Sequence, residues 1–347
     1  MNMGTTMRCA DFIEPGRIEF RSDASVPIPA PGEVLVRVVA CGICGSDLHM
    51  FRNNSYRVEL VRLTPEGYSV PGHEFSGIIS KIGEGVRGWN VGERVVGVTG
   101  QGGGMADFVA VPVNEFQLAR IPDEVPFDEA ATTEPLADAL QMVRKASLVV
   151  EENIVVFGVG IIGLGVIQAI KAHGVKTGAI IAVDVQQTRL DSALAVGASH
   201  AVSALDGDVF EQIAAITGTE TGYRGLSARI GVVFDCAGYI KHMKGPPPLE
   251  TALRVINLNG GRIVCFGGFE GPMTIDMGPI IQKEPIIVGS NGYASSELVE
   301  ALALMANRVV DRKSLITQSF PLEEIAAAFA AQASGNSVKI ILKNEIG

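Results

Sequence analysis

Residues 154–163 read Ile154-Val155-Val156-Phe157-Gly158-Val159-Gly160-Ile161-Ile162-Gly163, an apolar run that breaks into a G-x-G-x-x-G turn and continues as an apolar helix. In that strand-to-helix setting each glycine has a task. Gly158 permits the tight turn, Gly160 lets the backbone approach a pyrophosphate, and Gly163 lets helix and strand pack closely. A diphosphate would then rest on the helix N-terminus, where the amides at Ile161 and Ile162 lack intrahelical partners and the positive dipole end favours an anion. Asp184 closes the next apolar run, Ala179-Ile180-Ile181-Ala182-Val183. A carboxylate there is placed to accept the adenosine ribose hydroxyls and to repel a 2′-phosphate, so NAD is expected over NADP. Arg189 follows in the next helix and is expected to cover the adenine or lie at the surface.

Outward from this unit the alternation continues. Apolar runs at 230–235, 261–266 and 285–288 are separated by helical stretches, among them one ending near Val196 and one over 249–256. Apolar strands alternating with helices predict an α/β fold with a parallel, doubly wound sheet covered on both faces. The turns after these strands, Cys236-Ala237-Gly238, Phe266-Gly267-Gly268 and Ser290-Asn291-Gly292, are candidates to line the dinucleotide. Glycine turns that simply close a sheet explain Gly238 and Gly268 equally well.

Upstream, residues 7–120 alternate short Val/Ile-rich runs with Pro and Gly, which predicts a compact β-rich domain. Residues 128–145 have helical spacing interrupted at Pro135, so two helices or one broken helix are expected. The helix near 296–306 and the strand at 338–342 have no core of their own and are expected to return to the first domain. Pro246-Pro247-Pro248 reads as an exposed turn.

Two strings in the β-rich part carry metal chemistry: Cys41-Gly42-Ile43-Cys44-Gly45-Ser46-Asp47-Leu48-His49 and Gly72-His73-Glu74. Thiolate, imidazole and carboxylate are the ligand types of catalytic zinc, which leaves one position for water or substrate. Cys41-x-x-Cys44 also fits a redox pair or a zinc knuckle, but the first needs a thioredoxin-like context and the second another cysteine pair. Neither is present.

Composition narrows the partners. The chain has 347 residues and a formal charge of −10, which works against nucleic acid and anionic membranes and leaves a small molecule as the expected partner. No apolar run approaches the roughly 18 residues of a spanning helix, and the start lacks a signal-peptide pattern. Five cysteines are too few for a disulfide scaffold in so long a chain, so reduced thiols and a cytoplasmic location are expected.

Five motifs occur in a fixed order: Cys44-Gly45-Ser46-Asp47-Leu48-His49, Pro71-Gly72-His73-Glu74-Phe75-Ser76-Gly77, Gly92-Glu93-Arg94-Val95, Glu134-Pro135-Leu136, and the glycine turn. In this the chain resembles the zinc-containing medium-chain dehydrogenases/reductases of the alcohol dehydrogenase superfamily, most of all the sorbitol, threonine and butanediol dehydrogenase branch. The resemblance implies a GroES-like catalytic domain over residues 1–147 and 295–347, enclosing a Rossmann NAD-binding domain over 148–294. It implies hydride transfer between NAD and a secondary alcohol or a diol or polyol, and a homo-oligomer, dimer or tetramer. Cys44 and His73 match zinc ligands, and Glu74 or Glu134 matches the carboxylate that approaches the metal. Ser46 is placed in relatives to receive the alcohol proton and pass it through the cofactor ribose towards His49; a turn hydroxyl and a surface imidazole are the plainer reading of that pair. By resemblance Cys236, Ala237, Phe266, Gly267, Ser290 and Asn291 contact the ribose and nicotinamide.

Two departures matter. Many relatives carry a lobe of four cysteines with a structural zinc after the strand matching 92–98, whereas 98–105 here contain none, so one zinc per chain is expected. Polyol-acting relatives often carry an Arg where Asn291-Gly292-Tyr293-Ala294 stands, which counts against a sugar polyol. The aromatics Phe51, Tyr56 and Tyr68, between the two metal motifs, are expected to wall the cleft. A zinc-independent quinone or enoyl reductase and a crystallin-like, non-catalytic protein share the scaffold. Each would be expected to have lost ligands or the glycine turn, and neither is lost.

Overall fold

The computed structural model describes residues 5–344 other than 223, 224, 242 and 244. The reading of the chain start rests partly on residues 1–4, which lie outside the described residues. The chain forms two compact units, Met1–Glu134 with Ala294–Gly347, and Pro135–Tyr293.

The first unit opens with an antiparallel hairpin, β1 (Thr6–Glu14) and β2 (Arg17–Ser25). Then come β3 (Glu33–Gly42), α1 (Gly45–Asn53), α2 (Arg57–Leu60), the short pair β4 (Arg62–Leu63) and β5 (Ser69–Val70), and β6 (Glu74–Ile82). After β7 (Arg94–Val98), β8 (Phe108–Pro112) and β9 (Leu118–Arg120), α3 (Phe127–Ala130) and α4 (Thr133–Ala146) lead out of it. The helical stretch is thus divided before Pro135, which falls in the first turn of α4, where a missing N–H breaks no intrahelical bond.

The second unit is built of β10 (Ile154–Phe157), α5 (Ile161–His173), β11 (Ile180–Asp184), α6 (Gln187–Ala195), β12 (His200–Ser203) and α7 (Val209–Thr217). It continues through the hairpin β13 (Thr219–Gly222) and β14 (Gly225–Ala228), β15 (Val232–Asp235), α8 (Pro248–Val255), β16 (Arg262–Cys265), α9 (Gly278–Lys283) and β17 (Ile286–Gly289). Pro248 is the first residue of α8 and Pro247 its N-cap, so the proline run opens a helix. All six main strands run parallel in the order β12-β11-β10-β15-β16-β17, the doubly wound order with its switch point at β10. Val155, Phe157, Ile181, Val233 and Ile263 fill one side of this sheet beneath α7 and α8. The strand β12 and the hairpin were not legible in the sequence, because His200-Ala201-Val202-Ser203 and its neighbours lack an apolar run.

The chain then returns to the first unit as α10 (Ser295–Ala306), β18 (Ile316–Pro321), α11 (Ile325–Ala333) and β19 (Lys339–Lys343). β19 pairs antiparallel with β3, giving a sheet ordered β18-β19-β3-β6-β7-β9, with β8 also on β3. Val34, Val36 and Val38 of β3 share a core with Phe75, Phe329 and Ile340. No helix among the described residues is long and apolar enough to cross a membrane.

Candidate metal and nucleotide sites

Cys44 is the N-cap of α1, with extended backbone angles, and its N–H donates to Asp47 Oδ2 at 2.9 Å. The Cys-x-x-Asp spacing thus makes a cap that fixes the thiol at the positive end of a helix, where a thiolate is favoured. His73 follows Gly72, whose φ of +89° and crowding against Met105 and Cys41 Sγ exclude any side chain. That turn directs the chain into β6, which begins at Glu74. Ligand atoms of Cys44, His73 and Glu74 all lie within 4.8 Å of one another. Among the described residues no other group of three or more His, Cys, Asp or Glu is so placed. Cys41 belongs to the apolar core beside them.

The electrostatics of the cluster follow from its burial and its crowded acids. Burial, then Glu74 and Glu134, push the Cys44 thiol well above its ordinary pKa. Burial pulls the His73 imidazole down, but Asp47, Glu134 and Glu74 outweigh it and leave the pKa raised. Burial raises Asp47, with His73 and the Cys44 N–H acting against it. His73 Nδ1, Glu74 Oε2 and Ser46 Oγ are buried without hydrogen-bond partners. Such orphans clustered at one point mark a place built for something further. Soft thiolate, imidazole and carboxylate donors at this spacing fit one ion with bonds of about 2.0–2.3 Å. Glu134, second in α4 and half-buried, lies outside the trio but acts on Cys44, His73 and Lys339 by its charge.

Three residues beside the trio escaped the sequence reading: Asp47, Lys339 and Arg312. Lys339 of β19 is wholly buried, pairs with Glu74 and donates to the Ile43 carbonyl at 3.0 Å. Gly42 makes room for it, since a Cβ there would stand 2.6 Å from Lys339 Cε. Arg312 is also wholly buried; burial pulls its pKa down to about 10 against the pull of Glu74 and Glu129. A lysine inside the run Val338-Lys339-Ile340-Ile341-Leu342 was the available signal, because a charge in a core strand needs a buried partner.

Ser46 and His49 lie three residues apart on α1, hence on one face. The His49 ring meets Tyr56 edge-on at 6.2 Å. The other two aromatics expected near the cleft are engaged elsewhere. Phe51 packs on Phe329 at 5.2 Å, and the Tyr68 hydroxyl donates to Asp23 at 3.0 Å.

In the second unit the three glycines differ in kind. Gly158 has φ +77°, and a Cβ there would lie 2.7 Å from Ala237; a Cβ on Gly163 would collide with the Gly158 carbonyl. At Gly160, by contrast, a Cβ would meet nothing nearer than Arg189 Nη1 at 4.0 Å. The chain's own packing does not require glycine there, whereas a closely approaching ligand does, and the α5 N-terminus at Ile161 and Ile162 carries no side-chain cap. Asp184 is buried at the end of β11. Its Oδ2 accepts from Val159 N at 2.9 Å, and its Oδ1 from Val185 N and Gln186 N at 2.8 and 3.0 Å. It therefore braces the glycine turn, a role the sequence did not reveal, and a carboxylate's four lone-pair sites leave capacity for a further donor. Arg189 Nη1 stands 4.0 Å from Asp184 Oδ2.

Cys236-Ala237, Phe266-Gly267 and Ser290-Asn291 follow the carboxyl ends of β15, β16 and β17, the edge at which open α/β sheets take ligands. Gly238 and Gly267 touch backbone to backbone, so packing alone requires them. Ser290 Oγ is buried without a partner, and burial pushes the Cys236 thiol well up.

Residues 30–123 match the family model described as alcohol dehydrogenase GroES-like domain, and residues 162–307 match the one described as zinc-binding dehydrogenase. The chain is 32% identical to (R,R)-butanediol dehydrogenase of Bacillus subtilis, over 91% of this chain and 94% of that one. It is 30% identical to sorbitol dehydrogenase of Halalkalibacterium halodurans, over 91% and 93%. The solved structure of 2R,3R-butanediol dehydrogenase from Bacillus subtilis superimposes with a TM-score of 0.80 at 29% identity, covering 98% of this chain and 100% of that one.

Proposed function

From its place in the zinc-containing medium-chain dehydrogenase/reductase family, to which this chain belongs as an alcohol or polyol oxidoreductase, we propose a single-zinc, NAD-linked enzyme acting on a secondary alcohol or diol. The observation that carries this reading is the Cys44, His73 and Glu74 trio, buried beside the orphaned Ser46 hydroxyl. Zinc held there would polarise an alcohol hydroxyl as a Lewis acid, and NAD held by the second unit would be the hydride acceptor. Cys44 and His73 are the fixed ligands, with Glu74 or Glu134 completing the set. Ser46 Oγ takes the hydroxyl proton, and His49, three residues along α1, carries it towards water. Gly160, Ile161 and Ile162 hold the diphosphate, Asp184 orients the adenosine ribose, and Ser290 offers a hydroxyl at the nicotinamide end.

The catalytic domain is assigned to 1–147 and 295–347 and the cofactor domain to 148–294; the two compact units support the discontinuous plan and the return near 294, with their first break at 134 rather than 147. A homo-oligomer is supported by edge strand β17, where Ile286 and Ile287 are 55% and 41% exposed and offer a pairing template. Five unpaired cysteines favour a reducing, cytoplasmic setting. The test is elemental analysis of purified protein together with NAD reduction on primary, secondary, vicinal and aromatic alcohols. Metal-free protein that reduces NAD with none of them, with or without added zinc, would refute the reading.

A further inference from the structure

We propose that the first unit carries a second small-molecule site, sharing no residue with the metal trio, that takes an apolar monocarboxylate. A cavity of about 370 Å³ lies between the start of β1, the segment after β2, β4 and β8. That volume falls within the range of small-molecule pockets, about 300–1,000 Å³. Met7, Val26, Pro27, Leu63, Phe108 and Val109 line it, over the buried cluster formed by Met7, Cys9, Ala24, Val70 and Ala106. At its rim Ile28 is 83% and Leu63 69% exposed, so an apolar ligand would remove both from water.

Arg62 is the only charged residue in the lining. It is half-buried, its Nη1 donates to the Ala110 carbonyl at 2.6 Å, and among the described residues no carboxylate lies within ion-pairing distance of it. Glu66, four residues on, is instead turned to Ser25, accepting from both its N–H and its hydroxyl, and Glu33, whose charge reaches Arg62, accepts from the Ala30 N–H. The position is built for the guanidinium, since a Cβ on Gly103 would crowd Arg62 Cδ and Nε at 3.3 and 3.4 Å. A guanidinium offers five N–H donors in a planar fork matched to a carboxylate, and one carbonyl uses only part of it. A single cation among apolar walls selects a ligand of one negative charge with an apolar body. A phosphate would bring more charge than one guanidinium offsets. None of the proposed metal or nucleotide residues lines this cavity.

The test is calorimetric titration of the zinc- and NAD-loaded enzyme with octanoate, with octanamide as its uncharged match. Octanoate should bind the wild type and weaken about tenfold or more in Arg62→Gln, the loss expected of a charge-assisted hydrogen bond. Gln keeps a donor for the Ala110 carbonyl, so the fold should survive and alcohol turnover stay unchanged. Octanamide should bind both proteins equally, and Val26→Trp, which fills the cavity from its wall, should abolish octanoate binding in a second background. Several results would overturn the proposal: no octanoate binding to wild type, equal affinity in Arg62→Gln, or competition between octanoate and the alcohol substrate. Dissociation of an oligomer by Leu63→Glu would do so as well, since a second copy would then fill the groove.

Discussion

The ammonium of Lys339 and the carboxylate of Glu74, 265 residues apart in sequence, form an ion pair from which water is excluded on both sides. Removing one partner of such a pair leaves an uncompensated buried charge and costs about 3–5 kcal/mol. Lys339→Met should therefore destabilise metal-free protein by about that amount. Zinc beside Glu74 would supply positive charge in place of the ammonium, so the loss should be smaller in loaded protein. Denaturant unfolding with and without zinc measures both, and equal losses would show that no cation sits by Glu74.

Elemental analysis should give one zinc per chain. Cys44→Ser should remove the metal and nearly all turnover, with NAD affinity kept within a few-fold, because the glycine turn and Asp184 are built in the second unit. Two zincs in the wild type, or equal loss of metal and NAD binding in the variant, would refute this.

Zinc uptake should release protons. Cys44 and His73 both have raised pKa values in metal-free protein, so each stays protonated to a higher pH than usual, yet both bind zinc only when deprotonated. Affinity should therefore climb with pH and weaken on acidification. Titration of metal-free protein with zinc in buffers of different ionisation enthalpy, over about pH 6–8, reads the protons directly. Flat affinity without proton release would contradict the ligand assignment.

Ser46→Ala should slow alcohol oxidation by about 10²–10⁴-fold while zinc is retained, the usual effect of losing an acid–base group. His49→Ala should be milder, since water can replace a half-exposed group at the outer end of the relay. An unchanged Ser46→Ala rate, with a deuterium isotope effect showing hydride transfer to be limiting, would remove Ser46 from the chemistry.

Wild-type enzyme should prefer NAD to NADP, and Asp184→Ser should shift that preference mainly through the KM for cofactor. The same substitution strips an acceptor from Val159, Val185 and Gln186, so a stability loss of about 1–3 kcal/mol should accompany it. Higher wild-type kcat/KM with NADP would count against Asp184 as the selecting residue.

The doubly wound sheet was legible because β10, β11, β15 and β16 are near-continuous apolar runs and the glycine turn after β10 marks where α5 begins. The metal cluster was legible only through its motif strings; spacing along the chain says nothing of how close Cys44 comes to His73. The hidden part depends on side chains meeting across the fold. Lys339 looks like an ordinary strand lysine until β19 is paired with β3, and Asp184 looks like a free ribose acceptor until Val159 N is seen to bond it. Of the three aromatics, Tyr56 meets His49, whereas Phe51 and Tyr68 have found other neighbours that spacing along the chain does not show.

The return of β19 to β3 also orders events during synthesis. Residues 135–293 form a unit that can collect its core as it leaves the ribosome, domain by domain. The first unit cannot finish by then, because the strand that neutralises Glu74 is made only after the whole of the second unit. Until then the nascent amino-terminal half holds a carboxylate that burial would leave without its cation. Vectorial folding should therefore run inside out, with the second-made unit native first and the metal centre competent only once β19 has emerged and paired with β3.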